Sequence, residues 1–495
     1  MYSKTYKYFL VMMSIGMLML LSLSFVSSAQ DMMCDSYNES PILAEMVASG
    51  DLPPIEERLP AHPRVVEPAN EIGTYGGEFL SIYGSRGRLA EFRQFGYENL
   101  VRWSVDGSEV IPNIAEGWEI NDDATEYTFT LREGLKWSDG HPFTTADISF
   151  WWEDVETAAD VNPGGPRSYF NNAGELATLT IIDDLSFTFS WSQPNGLFLQ
   201  NLSTSYGVRV TQFPRHYLEQ FDPDYNPDGV ATMMEEAGET EIGIWWEGRV
   251  GTYGDNAEFN DPGRPTMHPW IATAPFIGEE RFTFVRNPYY FKVDPECNQL
   301  PYIDQRTWRA VADSEVDLLL TLDGQQMFST REISQPPNRA VFFDNQETGD
   351  YRFITAINSD FQTMELKINY THDDPVQAEI FQNMDFRIGL SVAMDRQTVI
   401  DTIYIGQGIP YQQAPRPESP FYNERLATQY TEYDQALANE YLDKVMPEKD
   451  DEGFRLRPDG ELFIFTVVIN QDFRPDHVDA MQLVQRNWQE VGIDS

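Results

Sequence analysis

The feature that most constrains the fold is a change of hydrophobic period within residues 127–155. Apolar and polar side chains alternate over 127–131, which is the period of a strand with one buried face. A turn at Asp139 and Gly140 follows, and apolar residues at helical spacing predict a helix that ends near Val155. Alternation returns over 185–191, so this part of the chain predicts a compact α/β unit of strand, turn, helix and strand.

The same stretch is dense in groups that can carry chemistry, among them three tryptophans, His141 and several acids. An active site and a piece of scaffold are therefore competing interpretations. Asp147 falls in the first turn of the predicted helix, where a carboxylate stabilises the helix dipole. We predict that Trp137, Trp151 and Trp152 face a core and that the stretch is scaffold.

Elsewhere, helix and strand signals alternate along the chain. Ser40 and Pro41 predict a helix that ends before Gly50, and a proline-rich segment then predicts an extended strap with little core of its own. Later segments carry periodic patterns as follows: helices over 374–394, 396–405, 433–445 and 477–491, and a strand over 462–468. The chain ends at Ser495 where a further strand is expected, so we predict a C-terminally truncated fragment.

The N-terminus predicts export. Lys4 and Lys7 precede an apolar run over residues 9–26 that closes on small residues, so residues 1–29 are predicted to be a cleaved signal peptide. The run approaches the length of a membrane span, and an uncleaved anchor is the competing interpretation. The predicted location is the periplasm or the outer face of the cytoplasmic membrane.

Composition narrows the classes of partner. The formal net charge of −45 repels nucleic acid and anionic lipid, so both are excluded as partners. Two cysteines, Cys34 and Cys297, are present, and an exported chain permits a disulfide between them, although the sequence alone leaves free thiols equally open.

Catalytic signatures are weak. The six histidines are scattered without metal-ligand spacing, and neither a Gly-x-Ser-x-Gly elbow nor a phosphate-binding glycine loop occurs. We therefore predict no cofactor and no enzyme, while a secreted hydrolase with an acid pair stays open as the alternative class. Aromatic residues make up 13% of the chain, and flat rings both stack on sugars and hold peptide side chains, so the composition favours a binder.

Several separate blocks of this sequence resemble the solute-binding proteins of family 5, the dipeptide and oligopeptide type that serve ABC importers. The blocks are YENL at 97–100, EVIPNIAEGWE at 109–119, the stretch at 127–155, RNPYY at 286–290, FRIGLS at 386–391, AMDR at 393–396 and NWQEVGI at 487–493. LPPIEERLP at 52–60, with YD at 433–434 and GFR at 453–455, is similar to one branch of that family.

The resemblance implies an α/β fold of the periplasmic-binding-protein type (type II, cluster C), with two lobes, a hinge and a small nested domain. We expect the hinge near residues 342–351. The implied division is: signal peptide 1–29; N-terminal helix and proline-rich strap 30–72; discontinuous domain I over 73–104 and 206–341; nested domain II over 105–205; incomplete domain III over 342–495.

The resemblance also implies a mechanism. A peptide is captured by hinge closure and delivered to the permease and ATPase subunits of the importer, by a protein expected to be a monomer; an oligosaccharide is the alternative ligand. Predicted ligand-binding residues by position are Glu91, Phe92, Tyr97, Tyr169 and Phe170. Trp246 and Trp270 are added on composition alone.

Overall fold

The structure is a computed structural model of the chain, and it describes residues 34–83, 97–251, 258–275, 280–329, 333, 338–354, 362–471 and 474–495. The predicted signal peptide and the predicted ligand residues Glu91 and Phe92 lie outside these residues. The chain divides into two compact units. Unit 1 holds the described residues up to 81 and from 97 to 310, and unit 2 holds residues 82 and 83 with those from 311 onward.

The N-terminal segment of unit 1 is fastened at several points. Its first helix confirms the predicted caps, because the Ser40 side chain accepts a hydrogen bond from the Leu43 N–H and Gly50 takes the left-handed conformation at φ 84°. Cys34 and Cys297 form a disulfide, with Cα atoms 6.0 Å apart. Arg58 is fully buried and donates to the carbonyls of Pro53 and Pro288 and to Gln299.

The strap therefore holds more core than its proline content predicts. Ile55 and Leu59 are buried against Val293, and strand β1 (Arg64–Val65) pairs in parallel with Lys292 and Val293.

Two four-stranded sheets form the centre of unit 1. The strands after β1 are, in chain order, β2 (Glu78–Tyr83), β3 (Val101–Trp103), β4 (Val110–Pro112), β5 (Ala115–Ile120), β6 (Glu126–Leu131), β7 (Asn171–Asn172), β8 (Glu175–Leu176), β9 (Thr178–Ile181) and β10 (Ser186–Ser190). β3 pairs with β4 and β7 with β8 in separate two-stranded sheets. The later strands are β11 (Trp270–Ala272), β12 (Arg281–Arg286), β13 (Lys292–Val293) and β14 (Gln305–Ala310). β13 pairs with β1, and the other three join β2 in the second four-stranded sheet. The orders are β5-β6-β10-β9 and β11-β12-β14-β2.

The first of these sheets confirms the predicted alternation. β6 is central, with antiparallel ladders to β5 and β10, and Phe129 and Phe187 stack at 5.5 Å on its buried face. Trp137, Trp151 and Trp152 all lie in the same core, so the prediction that they are scaffold is confirmed.

Unit 1 also contains short helices. They are α1 (Pro41–Ser49), α2 (Ile55–Arg58), α3 (Thr145–Phe150), α4 (Phe198–Leu202), α5 (Arg215–Leu218), α6 (Pro227–Ala237) and α7 (Ile242–Arg249), with 3-10 turns at Ser168–Phe170, Ser205–Thr211, Glu219–Phe221 and Glu258–Asn260. The helix predicted to run to Val155 differs in its second half, where α3 passes into a π-helix, Trp151–Glu156. In that π-helix Trp151, Trp152, Val155 and Glu156 are all buried, so its inward face carries a carboxylate beside three apolar side chains.

Unit 2 is mainly helical. Its helices are α8 (Ser314–Leu322), α9 (Arg339–Asp344), α10 (Gln346–Gly349), α11 (Pro375–Gln382), α12 (Met384–Val392), α13 (Arg396–Ile403), α14 (Glu424–Thr428), α15 (Gln435–Leu442) and α16 (Pro475–Glu490). The prediction of one continuous helix over 374–394 is wrong, because the helix is interrupted at Asn383. That residue is extended, and its side chain caps α12 by accepting from the Asp385 N–H.

The prediction of a strand over 462–468 is also wrong, because these described residues do not pair along a ladder. Its side chains do alternate, with Phe463 and Phe465 buried and Ile464 exposed. Within the described residues of unit 2, its backbone makes only isolated bridges, of which one joins Ile464 in parallel to Asp494. Among the residues that the structure describes, no helix has the length and apolar character required to cross a membrane.

Candidate functional site

One predicted ligand residue, Tyr169, lies on the surface of unit 1 beside a tyrosine that the sequence did not single out. The Tyr169 hydroxyl donates to the backbone carbonyl of Tyr206 at 3.2 Å. The ring of Tyr206 is 53% exposed, whereas Tyr169 is half-buried. Burial raises the pKa of the Tyr169 hydroxyl, so this group stays a hydrogen-bond donor throughout the physiological range. We call these two residues the tyrosine pair.

A buried carboxylate positions the tyrosine pair. Glu156, at the end of the π-helix, is fully buried. One of its oxygens accepts the Arg167 N–H at 2.7 Å, and the other accepts Nε and a terminal nitrogen of Arg209 at 3.2 and 2.9 Å. Arg167 lies two residues before Tyr169 and Arg209 three after Tyr206, so one side chain ties both segments together. π-Helical turns recur at functional sites, and this one supplies the tie.

The residues from Tyr97 to Asn99 lie beside the segment that leads to Tyr206. The side-chain amide of Asn99 donates to the carbonyls of Leu202 and Thr204, at 2.8 and 2.6 Å. The Tyr97 ring has the Arg102 guanidinium 4.7 Å from its centroid. Tyr97 is thereby brought near the segment that carries Tyr206, and its role in ligand binding stays a prediction.

Between these residues and the strap lies a buried charge network. The Glu98 carboxylate contacts Lys292 Nζ at 2.7 Å and accepts from the Tyr290 hydroxyl at 2.8 Å and the Asn113 amide at 2.9 Å. Although burial by itself raises the pKa of Glu98, Lys292 and Arg102 lower it to about 2. Burial lowers the pKa of Lys292 to about 7. The network fastens strand β13 to the segment at 97–99 and gives no sign of a reacting group.

Three of the predicted ligand residues are packed inside unit 1. Phe170 is fully buried, with ring contacts to Trp151 and Trp152 at 5.4 and 5.1 Å. Trp246 is fully buried in the same core. Trp270 is 8% exposed and donates its indole N–H to the Ile303 carbonyl at 3.0 Å, beside a cavity of only about 20 Å³.

Unit 2 contains a larger space, a cleft of about 950 Å³. This volume falls at the upper end of the range for small-molecule sites. Seven consecutive residues, 362–368, border it, and α12, α13 and the loop at 407–418 supply most of the remaining lining. We call it the unit 2 cleft. It lies in the region predicted to be domain III, and it combines apolar side chains, tyrosines and arginines.

Two arginines of the unit 2 cleft are held by helix ends. Arg387 donates to the Gln382 carbonyl at 2.6 Å, and Arg396 donates to the carbonyl and hydroxyl of Ser391 at 2.6 and 2.7 Å. Burial lowers the pKa of Arg396 to about 10, which leaves the group charged at neutral pH. Guanidinium groups bind carboxylates through paired N–H donors, and the accompanying rings offer apolar faces. The cleft is therefore suited to a polar organic solute.

We searched the described residues for side chains that could bind a metal ion. Within those parts, no group of three or more His, Cys, Asp or Glu side chains is arranged to hold a metal ion. His141 and His216 stack with ring centroids 3.8 Å apart, and His216 contacts Asp139 at 2.8 Å, an arrangement that joins the turn at 139–140 to α5.

Sequence reasoning missed Tyr206 and the tie through Glu156. The segment at 202–211 carries no motif, and an exposed tyrosine has no periodic signature. Glu156 looked like one acid among many in a chain with 79 acidic residues. Only its complete burial distinguishes it, since a fully buried carboxylate requires partners.

Comparisons with known proteins agree with this architecture. The profile described as "Bacterial extracellular solute-binding proteins, family 5 Middle" matches residues 109–495. A periplasmic alpha-galactoside-binding protein from Rhizobium meliloti is 27% identical over 474 residues, which are 88% of this chain and 64% of that protein. The chain thus spans somewhat less than two thirds of the length of this relative.

Two solved structures are also similar. An oligopeptide-binding protein OppA is 32% identical, with a TM-score of 0.66, and the match covers 93% of this chain and 71% of that one. The periplasmic binding protein MelB from Agrobacterium fabrum C58, in complex with stachyose, is 24% identical with a TM-score of 0.72. This match covers 93% of this chain and 70% of MelB. At 24% identity, the second match is evidence for the fold alone.

Proposed function

Because the chain belongs to the bacterial extracellular solute-binding proteins of family 5, we propose that it is the extracytoplasmic solute-binding subunit of an ABC importer. The observation that carries this proposal is the family match over residues 109–495, which takes in both units. The solute is held and released without any bond being made or broken. The permease and ATPase subunits of the importer are the partners that this role requires.

The solute in this proposal is an oligosaccharide. The Rhizobium relative, whose match covers 88% of this chain, is named for alpha-galactosides. Exposed tyrosine rings offer the flat apolar surface on which a sugar ring packs, and the tyrosine pair presents one such ring in unit 1.

A peptide is the second candidate, and a specific observation favours it. The structure at 32% identity is named as an oligopeptide-binding protein. The arginines of the unit 2 cleft are suited to a carboxylate, a group that peptides carry at their C-terminus.

The mechanism proposed is capture by hinge closure. A ligand that contacts the closed state better than the open state shifts the population by its differential affinity, and the permease then receives the closed form. Nested domain II, over 105–205, and domain III, from 342 onward, are proposed as the divisions that carry these contacts. A fall in the radius of gyration of the purified chain on addition of ligand, measured by small-angle X-ray scattering, tests the closure.

A thermal-shift screen tests the function. The purified chain is heated with stachyose, with other alpha-galactosides and with alanine peptides of two to five residues. A ligand that binds only the native state at a hundred times its Kd stabilises the chain by about 2.7 kcal/mol, which appears as a higher Tm. An unchanged Tm with every sugar and peptide would contradict the proposal. Appearance of hydrolysis products would contradict it in favour of the secreted hydrolase.

A further inference from the structure

The unit 2 cleft differs in charge from the chain that forms it. The whole chain carries 34 basic and 79 acidic side chains. The described residues that line the cleft reverse this balance, because four of them are basic and two are acidic. They are Lys367, Arg387, Arg396 and Arg416, and Glu365 and Glu418. Since Lys367 and Glu365 neutralise each other through a 2.8 Å contact, arginines dominate the remaining charge, and a cleft of this sign concentrates anions.

Two of these arginines lack the kind of partner that Arg455 of the same unit has, a carboxylate at 2.7 Å. Arg387 and Arg396 are half-buried and donate instead to backbone carbonyls and to the Ser391 hydroxyl. Among the described residues, no carboxylate lies at ion-pair distance from either guanidinium. Although burial lowers the pKa of Arg396, Glu432 opposes that shift from beyond ion-pair distance. A half-buried cation without a paired anion favours an anionic ligand.

The Arg396 guanidinium is positioned by groups that are themselves fixed. It donates to the carbonyl and hydroxyl of Ser391 at 2.6 and 2.7 Å. That hydroxyl also accepts from the side-chain amide of Gln412 at 2.9 Å and donates to the Tyr430 carbonyl at 2.8 Å. Two further segments thus hold Ser391, and Ser391 holds Arg396. A guanidinium held in this way loses little conformational freedom when it binds an anion.

Arg387 adds a second set of donors on the same helix face. It precedes Ser391 by four residues on α12, and residues at this spacing are neighbours on a helix. Its hydrogen bonds to the Phe381 and Gln382 carbonyls both come from one terminal nitrogen. The Tyr370 ring centroid lies 5.0 Å from the guanidinium and orients it further. In the described part of the chain its other nitrogens have no acceptor, so they are available to a ligand.

We infer that the solute carries a carboxylate and that Arg396 binds it, with Arg387 as a second donor and Ser391 as a positioning residue. This inference rests on the proposed function and narrows the class of ligand. A carboxylate presents two oxygens to the guanidinium fork, whereas a neutral hydroxyl or amide forms no charge-assisted pair. An oligosaccharide that contains a uronate and a peptide with a free C-terminus both carry this group, and the experiment distinguishes these two sources.

The experiment measures Kd by calorimetry for ligands in pairs that differ in charge. The pairs are trialanine with trialanine amide, and trigalacturonate with its methyl ester, and stachyose is measured as a neutral oligosaccharide. The native chain is expected to bind the charged member of one pair roughly ten- to a hundredfold more tightly, the range that a hydrogen bond to a charged group supplies. This comparison requires no variant, and the pair that binds identifies the source of the carboxylate.

Three variants locate the contact. Arg396→Gln should reduce the preference for the charged member to within about twofold, and Ser391→Ala should reduce it in part. Arg486→Gln is the matched control, because it removes the same charge from an exposed arginine of unit 2 that does not belong to the lining of the cleft. It should leave the preference unchanged. A purely structural loss would weaken both members of a pair alike, so the ratio of their Kd values separates binding from folding.

Each outcome decides between the two levels of the proposal. Equal binding of the charged and neutral members by the native chain would overturn the carboxylate assignment and leave the solute-binding function intact. Binding of stachyose with neither charged ligand would do the same. A preference that survives in Arg396→Gln, or that falls equally in Arg486→Gln, would overturn the role of Arg396. A native chain that binds none of these sugars and peptides would remove the proposed function with it.

Discussion

Two segments of this chain bury alternate side chains and reach different backbone structures. β6 in unit 1 is paired on both sides, with ladders to β5 and β10. Residues 462–468 in unit 2 bury Phe463 and Phe465 just as β6 buries Phe129, yet in the part of the chain that the structure describes their backbone forms only isolated bridges. Alternate burial therefore occurs with and without a ladder, and the backbone partner depends on what the rest of the fold brings alongside.

The difference lies in what covers each segment. In unit 1 the neighbouring strands supply both the hydrogen bonds and part of the core. In unit 2 the core around Phe463 and Phe465 comes largely from helices. The ring centroid of Phe386 on α12 lies 5.4 Å from that of Phe463, and the centroid of Trp488 on α16 lies 5.2 Å from that of Phe465. Helices satisfy their own backbone groups and give none to a neighbouring extended chain. The side chains at 463 and 465 are thus buried largely by helices, while the N–H groups of Phe463 and Phe465 donate singly to the carbonyls of Arg455 and Asp494.

Core truncation should not distinguish the two segments. Phe129→Ala and Phe463→Ala each remove a ring with no exposed surface, and each is expected to lower the free energy of unfolding by about 3–5 kcal/mol. Urea denaturation followed by hydrogen-exchange mass spectrometry reports the two units separately. A cost at Phe463 below half of that at Phe129 would mean that unit 2 relaxes around the cavity.

Proline substitution should separate the segments most sharply. Thr128→Pro removes an N–H from a strand paired on both sides and is expected to cost about 3 kcal/mol or more. Thr466→Pro lies beyond the bridge at Ile464 and is expected to cost less than about 1 kcal/mol. The same denaturation experiment measures both. Similar losses at the two positions would show that residues 462–468 form a ladder in solution.

Acid should weaken unit 1 through Glu98. The folded-state pKa of this carboxyl, about 2, lies below its ordinary value of 4.5, so the stabilisation is fully present above about pH 4.5 and is lost as pH falls toward 2. The loss is expected to reach roughly 3 kcal/mol. The measurement compares urea midpoints of the native chain and Glu98→Gln across this window. The advantage of the native chain should shrink with acid, and a constant difference would contradict the assignment.

The smallest effect is expected on the outer face of residues 462–468. Val468 is 91% exposed, so Val468→Thr should change the free energy of unfolding by less than about 0.5 kcal/mol. Phe465→Ala, on the opposite face and 7% exposed, is the control and should cost several-fold more. A loss at Val468 comparable with that at Phe465 would mean that another chain or segment covers this face in solution.

Much of the local structure could be predicted from the sequence. The helix at 41–49 was predicted with both caps, because Ser40 and Gly50 are residues whose chemistry is local. The break at Asn383 and the π-helix after Phe150 were not, since both depend on which side chains the surrounding core accepts. The predicted fold class, that of type II periplasmic binding proteins, is confirmed by the matches to solved structures.

The candidate site was less accessible to prediction. Tyr169 was named by position in the family pattern, and its ligand role stays a prediction. Phe170 was named on the same grounds and lies in the core, where its ring contacts two tryptophans. Tyr206 follows Tyr169 by 37 residues, and no pattern links them before the chain folds.

The sequence by itself determined the alternation, the capped helices, the acidic surface and, through its short motifs, the family, because each depends on residues adjacent in the chain or on composition. Only the tertiary structure decided that Glu156 is buried, that it joins two distant turns, and that Tyr206 stays exposed above them. Burial and partnership are properties of residues far apart in the chain. A carboxylate acquires its role only when folding removes water from it and brings donors to it.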